Sequence, residues 1–371
     1  MIRLSSIIRL FKAELLAHYH NSLLPSHLKA LAAMADCRTS ASPAMLAQCT
    51  ECDHQVLVPH SCGHRSCPHC QHHESQQWLE RQLQRLVPGT YFLVTFTLPP
   101  ALRALVFSEQ RTLYTLMIQC AWQTVHSFAH NDKQLQGTPG AIAVLHTHSR
   151  RLDYHPHVHL VVPAAAIDAQ QKLWRTKKST GKRRYLFNHK ALAKVFRAKL
   201  LDAITGEGLP LPEGYAKKWV VDCKCVGSGE KALVYLGRYL DRGVIREKDI
   251  LACKNGQVTF RYKDAKSKRT KTRTVSGAKF LWLILQHVLP KGFRRTRNFG
   301  FLHPNSKRLI ALVQYLVGFD PRRASTWIKP RPRLACPCCG GDMKIVRTRI
   351  IPSLSGPPLV PIGNGAGAAV M

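Results

Sequence analysis

Apolar and polar residues alternate with a period of two along several short stretches, a pattern typical of β-strands. It predicts a strand that begins at Tyr91 and stops at Pro99, and an antiparallel pair, Gly140–His148 and Tyr154–Val162, joined by a tight turn. The same pattern predicts three further strands, at Trp219–Val226, Val258–Tyr262 and Thr270–Val275.

Between these strands, apolar residues recur at the spacing of an α-helix. Helices are predicted over residues 101–130, 187–205 and 279–288, and the spacing of Leu, Tyr and Arg favours another from Val234 to Arg242. An antiparallel sheet with helices interposed belongs to the α+β class. We therefore predict an α+β fold.

The composition indicates a globular protein with a polyanionic partner. The 371 residues are enough for two or three modules, and an apolar fraction of 45% is sufficient for hydrophobic cores. Lysine and arginine outnumber the acidic residues by 55 to 21, for a net charge of +34, so we expect nucleic-acid binding. No stretch approaches the roughly 20 apolar residues of a membrane span, and the N-terminus lacks the apolar block and cleavage site of a signal peptide. The C-x2-C pairs indicate reduced thiols, so we expect a cytoplasmic, nucleoid-associated protein without a membrane partner.

Cysteines and histidines crowd into residues 37–70. Two C-x2-C pairs, 14 residues apart, supply the four thiolates of a structural zinc site. These are Cys49, Cys52, Cys67 and Cys70. Cys37, Cys62 and one of the nearby histidines are candidates for a second Zn²⁺ site. A closed zinc shell has no open ligand position, so we assign this module to folding and DNA binding. Arg65, Arg81 and Arg85 are candidate contacts to DNA phosphates.

Histidines alternate with an apolar residue in the predicted strand Tyr154–Val162. Because residues two apart on a strand point to the same face, His157 and His159 present adjacent imidazoles, which form half of a divalent-metal site. His146 on the neighbouring strand is our first candidate for a third ligand, and His155 and His148 are alternatives.

Two tyrosines share one face of the predicted helix Val234–Arg242. Tyr235 and Tyr239 are four residues apart, which places their Cβ atoms about 5–6 Å apart on a helix. Two adjacent hydroxyls are suited to attack an electrophile in turn. Together with the histidines they suggest cleavage and rejoining of DNA strands, and Arg238 and Arg242 are candidate phosphate contacts beside them.

The order of these motifs resembles that of a known family. Phe96-Thr-Leu-Pro99, the histidine strand and the Tyr-x3-Tyr helix follow the order of the three motifs of rolling-circle HUH endonucleases. Longer strings are similar to the two-tyrosine transposases of the insertion-sequence-91 group, from about residue 10 to about residue 345. These strings are Cys37-Arg-Thr, Ser61-Cys-Gly-His-Arg-Ser-Cys-Pro-His-Cys-Gln71, Ala143-Val-Leu-His-Thr147, Tyr235-Leu-Gly-Arg-Tyr239, His287-Val-Leu-Pro-Lys-Gly-Phe293 and Phe299-Gly-Phe-Leu302.

The resemblance implies an HUH endonuclease core, an antiparallel sheet with flanking helices, preceded by a small zinc-binding domain. It implies catalytic Mg²⁺ or Mn²⁺ at the histidines and rolling-circle transposition of single-stranded DNA through a 5′-phosphotyrosine. Host replication proteins would be further partners. Two alternatives stand beside it: a replication initiator or relaxase-type nicking enzyme with the same core, and a non-catalytic zinc-finger DNA-binding protein.

The expected domains are residues 1–86 for zinc and DNA binding, 87–290 for the nuclease, 291–345 for a basic DNA-binding segment, and 346–371 for a disordered tail. In the third segment basic residues are interleaved with aromatic ones, a pattern that suits binding of a single DNA strand. The alternative is a solvated basic face over an ordinary aromatic core. Its first candidates for DNA contact are Arg294, Arg295 and Arg297. Cys336 and Cys339 form half of a zinc knuckle without cysteines downstream, and the nearest candidate partners are Cys223 and Cys225.

Overall fold

The computed structural model describes residues 2–70, 72–168, 170, 173–177, 185–241, 244–264, 267–322 and 333–350, without the side chains of residues 72, 73 and 238–241. Within them lie nine α-helices: α1 (Leu4–Tyr19), α2 (Pro25–Asp36), α3 (His72–Leu83), α4 (Arg103–Ser108), α5 (Gln110–Asn131), α6 (His189–Gly206), α7 (Glu230–Asp241), α8 (Gly277–Leu285) and α9 (Lys307–Leu316). The same ranges hold thirteen strands: β1 (Ala44–Cys49), β2 (Gln55–Pro59), β3 (Tyr91–Thr97), β4 (Thr138–His148), β5 (Tyr154–Pro163), β6 (Ala165–Asp168), β7 (Leu173–Thr176), β8 (Val220–Cys225), β9 (Ile250–Lys254), β10 (Gln257–Lys263), β11 (Thr270–Ser276), β12 (Thr296–Gly300) and β13 (Met343–Ile350).

The largest sheet is antiparallel and is covered by helices on both faces. Its strand order is β7-β6-β4-β5-β3-β8, and β12 also pairs with β4. Helices α5 and α6 cover one face, over buried side chains that include Phe96 and Val158. Helices α3, α7 and α9 cover the other face, over Val144 and Val161. The predicted α+β class is confirmed.

A second core lies beneath the two amino-terminal helices. Helices α1 and α2 pack against α8 and the three-stranded sheet β11-β10-β9, and this contact buries Ile7, Leu31, Phe260 and Phe280. Segments from both sides of the boundary predicted at residue 86 therefore share one core, and the boundary itself stays a prediction. Among the helices of the described ranges, none has the length and apolar character needed to cross a bilayer.

Two boundaries differ from the sequence prediction. The helix predicted over residues 101–130 is interrupted, because Glu109 adopts a non-helical conformation (φ −108°, ψ 44°) between α4 and α5. The prediction that the chain is disordered from residue 346 is wrong for the first five residues, because β13 continues to Ile350 and pairs with β1. Residues 351–371 of that tail lie outside the described residues.

Candidate active site and metal centres

Three histidines meet on the face of the large sheet that α7 covers. His157 and His159 alternate with buried Val158 on β5, and His146 lies opposite His157 on β4. The ring centroids are 4.3 to 5.2 Å apart, and one ligand nitrogen of each ring lies within 4.8 Å of the other two. The strand alternation thus brings the predicted pair together, and the register of β4 adds His146.

The two alternative third ligands have other neighbours. Nη2 of Arg103 donates to Nδ1 of His155 at 2.8 Å. The ring of His148 lies against that of His287, with centroids 5.2 Å apart. Neither His155 nor His148 belongs to the group of ligand atoms that His146, His157 and His159 form.

The three imidazoles are neutral and suited to a divalent cation. Burial lowers the pKa of His157 to about 4, and it lowers the pKa of His146 and His159 well below 6.5, with a further contribution from the charges of neighbouring histidines. Nδ1 of His157 donates to the carbonyl of His155 at 2.7 Å, and Oγ1 of Thr95 lies 2.9 Å from Nδ1 of His159. These contacts leave Nε2 of both rings for a metal, and such outer contacts are typical of metal-binding histidines. The donor set therefore fits a divalent cation.

Tyr235 projects from α7 into a groove. Its side chain is 44% exposed, and the groove is also lined by His148 and Arg150 near the β4–β5 turn and by Lys263 of β10. Partial burial raises the pKa of the Tyr235 hydroxyl, and the charge of Arg150 acts in the opposite direction. The hydroxyl is therefore protonated at neutral pH.

Helix α7 is held in place by its apolar side. Leu233 and Leu236 are buried in the same core as Trp78 and Leu79 of α3. Tyr235 therefore lies on the side of α7 that faces away from this core. The second tyrosine, Tyr239, follows one turn later on the same helix. The side chains of Tyr239 and Arg238, and the whole of Arg242, lie outside the described residues.

A second groove is lined by five arginines. It lies between α3, α5 and the segment that leads into β12, and its arginines are Arg81, Arg85, Arg111, Arg294 and Arg297. In the described part of the chain none of the five forms an ion pair with a carboxylate. Burial and the charge of Arg294 both lower the pKa of the Arg297 guanidinium. Five cations without carboxylate partners give this groove a positive potential, the feature that attracts phosphates.

Other predicted contacts are used inside the fold. Arg65 donates to the carbonyls of Leu289, Pro290 and Phe293 at 2.5 to 3.1 Å, which ties its guanidinium into the fold. Its contact with phosphate stays a prediction. Phe299 is stacked on Trp122, with centroids 5.1 Å apart, and is therefore core rather than a free platform for bases. Arg295 lies beside the buried histidines, where its charge contributes to the lowered pKa of His146 and His148.

The cysteines form two groups of four, and they are not grouped as predicted. Cys67 and Cys70 do not join Cys49 and Cys52; their sulfurs lie among those of Cys37 and Cys62. In this first group, neighbouring Sγ atoms are 3.4 to 3.6 Å apart. The predicted second site of Cys37 and Cys62 with a histidine is therefore wrong, because these two thiols complete the group of Cys67 and Cys70.

The second group draws on both ends of the chain. Cys49 and Cys52, at the end of β1, lie beside Cys336 and Cys339, with Sγ distances of 3.5 Å for Cys49–Cys339 and 3.7 Å for Cys52–Cys336. The partners of the C-terminal half knuckle are therefore upstream. The alternative partners Cys223 and Cys225 are wrong, because both lie on β8 in the large sheet.

Comparison with known proteins identifies the family. The sequence matches the family described as "Transposase zinc-binding domain" over residues 7–98 and the family described as "Putative transposase" over residues 140–309. It is 30% identical to "Putative transposase y4qJ" of Sinorhizobium fredii (strain NBRC 101917 / NGR234), over 91% of this chain and 93% of that protein. The chain belongs to the insertion-sequence-91 family of transposases.

A second relative of this transposase is the "Transposase for insertion sequence element IS801" of Pseudomonas savastanoi pv. phaseolicola, which is 29% identical over 68% of this chain and 63% of that protein. Among solved structures, the conjugative relaxase TrwC in complex with oriT DNA matches with a TM-score of 0.26 and 12% identity, over 62% of this chain and 73% of that chain. Similarity at that level does not constrain function. The family match favours the transposase hypothesis over the replication initiator and the non-catalytic zinc finger.

Proposed function

We propose that this transposase cleaves and rejoins single-stranded DNA through a 5′-phosphotyrosine, in rolling-circle transposition of an insertion sequence. The main support is the location of His146, His157 and His159 on the sheet face that α7 covers. That helix carries both tyrosines, so candidate metal ligands and candidate nucleophiles belong to the same side of the sheet.

The tyrosine hydroxyl is the nucleophile. The phenolic oxygen of Tyr235 or Tyr239 forms a bond to the scissile phosphorus, the bond from phosphorus to the 3′-oxygen breaks, and that oxygen takes up a proton. The product is a 5′-phosphotyrosine and a free 3′-hydroxyl, which conserves the bond energy for rejoining. Arg150, whose charge opposes the raised pKa of Tyr235, favours loss of the phenolic proton.

The histidines would hold Mg²⁺ or Mn²⁺, His157 and His159 through Nε2, and such a cation would polarise the phosphate and neutralise charge that develops on it. The chain's own contribution is to keep these rings neutral and oriented. Burial keeps the imidazoles unprotonated, and Thr95 and the His155 carbonyl fix two of the rings.

The two tyrosines would act in turn. While one is covalently attached to DNA, the other is available to cut or join a second strand end, which is the use of having two hydroxyls on one helix face. Arg238 and Arg242 stay candidate phosphate contacts beside them. The arginine groove, with Arg294 and Arg297, would bind the flanking DNA backbone, since its cations lack carboxylate partners in the described residues.

We also propose that Cys37, Cys62, Cys67 and Cys70 hold the structural Zn²⁺ of the N-terminal domain. Their sulfur spacing is close to the roughly 3.8 Å expected around one tetrahedral zinc with Zn–S bonds of about 2.3 Å. A cytoplasmic, nucleoid-associated location and contacts with host replication proteins stay predictions.

The test is a covalent-adduct assay with single-stranded oligonucleotides that carry an element end. Wild-type protein in Mn²⁺ should give a denaturant-stable protein–DNA adduct, and EDTA should abolish it. The double variant Tyr235→Phe/Tyr239→Phe should form no adduct and still bind the oligonucleotide, because loss of two hydroxyls barely alters packing. Each single variant should abolish transposition, because the cycle needs two attachments.

Tyr262→Phe is the matched control. Tyr262 lines the same groove as Tyr235 but belongs to β10, so its variant should form adduct and support transposition at the wild-type level. Peptide mapping of the trapped adduct identifies the residue that carries DNA. An adduct on a residue other than the two tyrosines, or an undiminished adduct in EDTA, would contradict the proposed chemistry.

A further inference from the structure

The group of Cys49, Cys52, Cys336 and Cys339 has the spacing of a metal site. A tetrahedral zinc with Zn–S bonds of about 2.3 Å requires sulfurs about 3.8 Å apart. The two measured separations are 3.5 and 3.7 Å, and all four Sγ atoms lie within 4.8 Å of one another. These distances are well beyond the roughly 2.05 Å of a disulfide bond, so the four are arranged as thiol ligands and not as cystines.

Backbone amides donate to a ligand sulfur in both turns. The amide of Glu51 donates to Sγ of Cys49 at 3.4 Å, and the amide of Gly341 donates to Sγ of Cys339 at 3.4 Å. In each case the donor is two residues beyond the cysteine. The first zinc group has the same contact, from the amide of His64 to Sγ of Cys62 at 3.4 Å. Outer hydrogen bonds of this kind hold ligand atoms in position in metal sites.

The sheet around the second group has too little apolar core to be stable alone. Strands β13, β1 and β2 form three antiparallel strands, and the buried cluster beside the cysteines consists of Ala47, Cys49, Val58, Cys336 and Met343. The other buried residues of β1 and β2 are Ala44 and Pro59, at the ends of their strands. Six of the eight residues of β13 are exposed. Small sheets with so few buried side chains usually need a metal or a disulfide.

We propose that these four cysteines bind a second structural Zn²⁺, which fastens the C-terminal segment to the N-terminal zinc-binding domain. The ligands come from two turns that are far apart in sequence: Cys52 and Cys336 are separated by 284 residues, and Cys49 and Cys339 by 290. The bound metal would fix β13 against β1 and present the exposed basic side chains Lys344, Arg347 and Arg349 on that strand. The matched zinc-binding family ends at residue 98, so Cys336 and Cys339 lie outside it.

The full-length protein offers an internal control. Cys338 lies between Cys336 and Cys339 and is exposed like Cys339, but it does not belong to the group of four sulfurs. Zinc per chain should be two in the wild type, two in Cys338→Ala, and one in the double variant Cys336→Ala/Cys339→Ala, measured by elemental analysis after removal of loosely bound metal. Limited proteolysis of the double variant should release the C-terminal segment, whereas Cys338→Ala should be as resistant as the wild type.

A titration with Co²⁺ covers the case in which the double variant does not fold. Metal-free, reduced wild-type protein should show thiolate-to-cobalt absorption that rises until two equivalents are bound. Saturation at one equivalent, or a folded double variant that keeps as much zinc as the wild type, would overturn the second site. Detection of a native disulfide between Cys49 and Cys339 would do the same.

Discussion

Thr95 supports the histidine group from the neighbouring strand. Its Oγ1 lies 2.9 Å from Nδ1 of His159, and the β3–β5 register places the two residues directly opposite each other. A contact at Nδ1 fixes both the tautomer and the orientation of the ring, and therefore the direction in which Nε2 faces. A residue outside the set of candidate ligands is thus expected to determine how well the site binds a cation.

The variant Thr95→Val preserves shape and removes this oxygen. We expect the Mn²⁺ concentration for half-maximal DNA cleavage to rise about 10- to 100-fold, the usual cost of losing such an outer contact. Cleavage at saturating Mn²⁺ should largely recover, because the three imidazoles are intact. The measurement is a metal titration of the cleavage rate.

Thr97→Val is the paired control for this prediction. Thr97 lies two residues along β3, opposite His157, and its side chain makes no hydrogen bond within the described residues. Its variant should bind Mn²⁺ like the wild type. Equal metal requirements for Thr95→Val and the wild type would show that the hydroxyl does not position His159.

Among the elements, β12 links the C-terminal segment to the strand that carries His146. It pairs with β4 from Gly300↔Gly140 to Thr296↔Val144. At Gly300 the chain turns with φ +58°, and an added Cβ would lie 1.7 Å from the carbonyl oxygen of Pro139. Only a residue without a side chain fits between β12 and β4 at this point.

Gly300→Ala should therefore lower the free energy of unfolding by about 2–5 kcal/mol, through left-handed backbone strain and the clash with Pro139. Gly256→Ala is the control: its φ is +73°, but nothing lies within 4 Å of an added Cβ. That variant bears only the backbone cost of about 1–2 kcal/mol. Denaturant unfolding of the two variants should separate the cost of backbone strain from the cost of the clash with Pro139. Equal losses of unfolding free energy would mean that β12 does not pack closely against β4 at Gly300.

Strands with regular alternation could be predicted from the sequence, and strands paired at long range could not. The stretches that became β3, β4 and β5 alternate clearly, and so His157 and His159 could be placed on one face in advance. β12 (Thr-Arg-Asn-Phe-Gly) and β13 (Met-Lys-Ile-Val-Arg-Thr-Arg-Ile) lack a regular alternation of apolar and polar residues and resemble a solvated segment. Their pairing with β4 and β1 depends on partners that are more than 150 residues away, which a local pattern does not contain.

The cysteine groups show the same limit. Two C-x2-C pairs 14 residues apart are the obvious partners in a sequence, yet β2 and the turns around it separate them. Each pair instead finds its partners elsewhere: Cys37 and Cys62 for one, and a turn near the C-terminus for the other. The C-x2-C spacing predicts that the cysteines form four-sulfur metal sites, whereas the fold determines which cysteines share a site.

In the whole molecule, the N-terminal region is joined to later parts of the chain at several points. Nε2 of His69 and the backbone amide of Leu4 both contact Oε1 of Glu247, at 2.9 and 2.7 Å. Arg65 fastens the same N-terminal region to the carbonyls that follow α8. The zinc-binding region, the helix pair α1–α2 and the hairpin β10–β11 are therefore parts of one framework around the tyrosine groove.

The net charge of +34 is spread over this framework, and the arginine groove concentrates five cations without carboxylate partners in the described residues. Arg81 and Arg294 in this groove are exposed and make no side-chain hydrogen bonds among those residues. Their replacement therefore removes charge without removing an internal contact. Charge alone could be predicted from composition, whereas its convergence on one groove required α3 and the segment before β12 to meet.

The double variant Arg81→Ala/Arg294→Ala should bind single-stranded DNA more weakly at low salt, and its affinity should depend less on salt. Each lost phosphate contact reduces the slope of log K against log salt by about 0.7 for a single strand, so the slope should fall by about 1.4. Lys29→Ala, an exposed lysine on α2 outside the groove, should leave the slope unchanged. The measurement is DNA affinity from low to moderate salt for both variants. If only total charge mattered, each variant would lose slope in proportion to the charges removed. If DNA runs through the groove, the slope should fall for the arginine variant and not for Lys29→Ala.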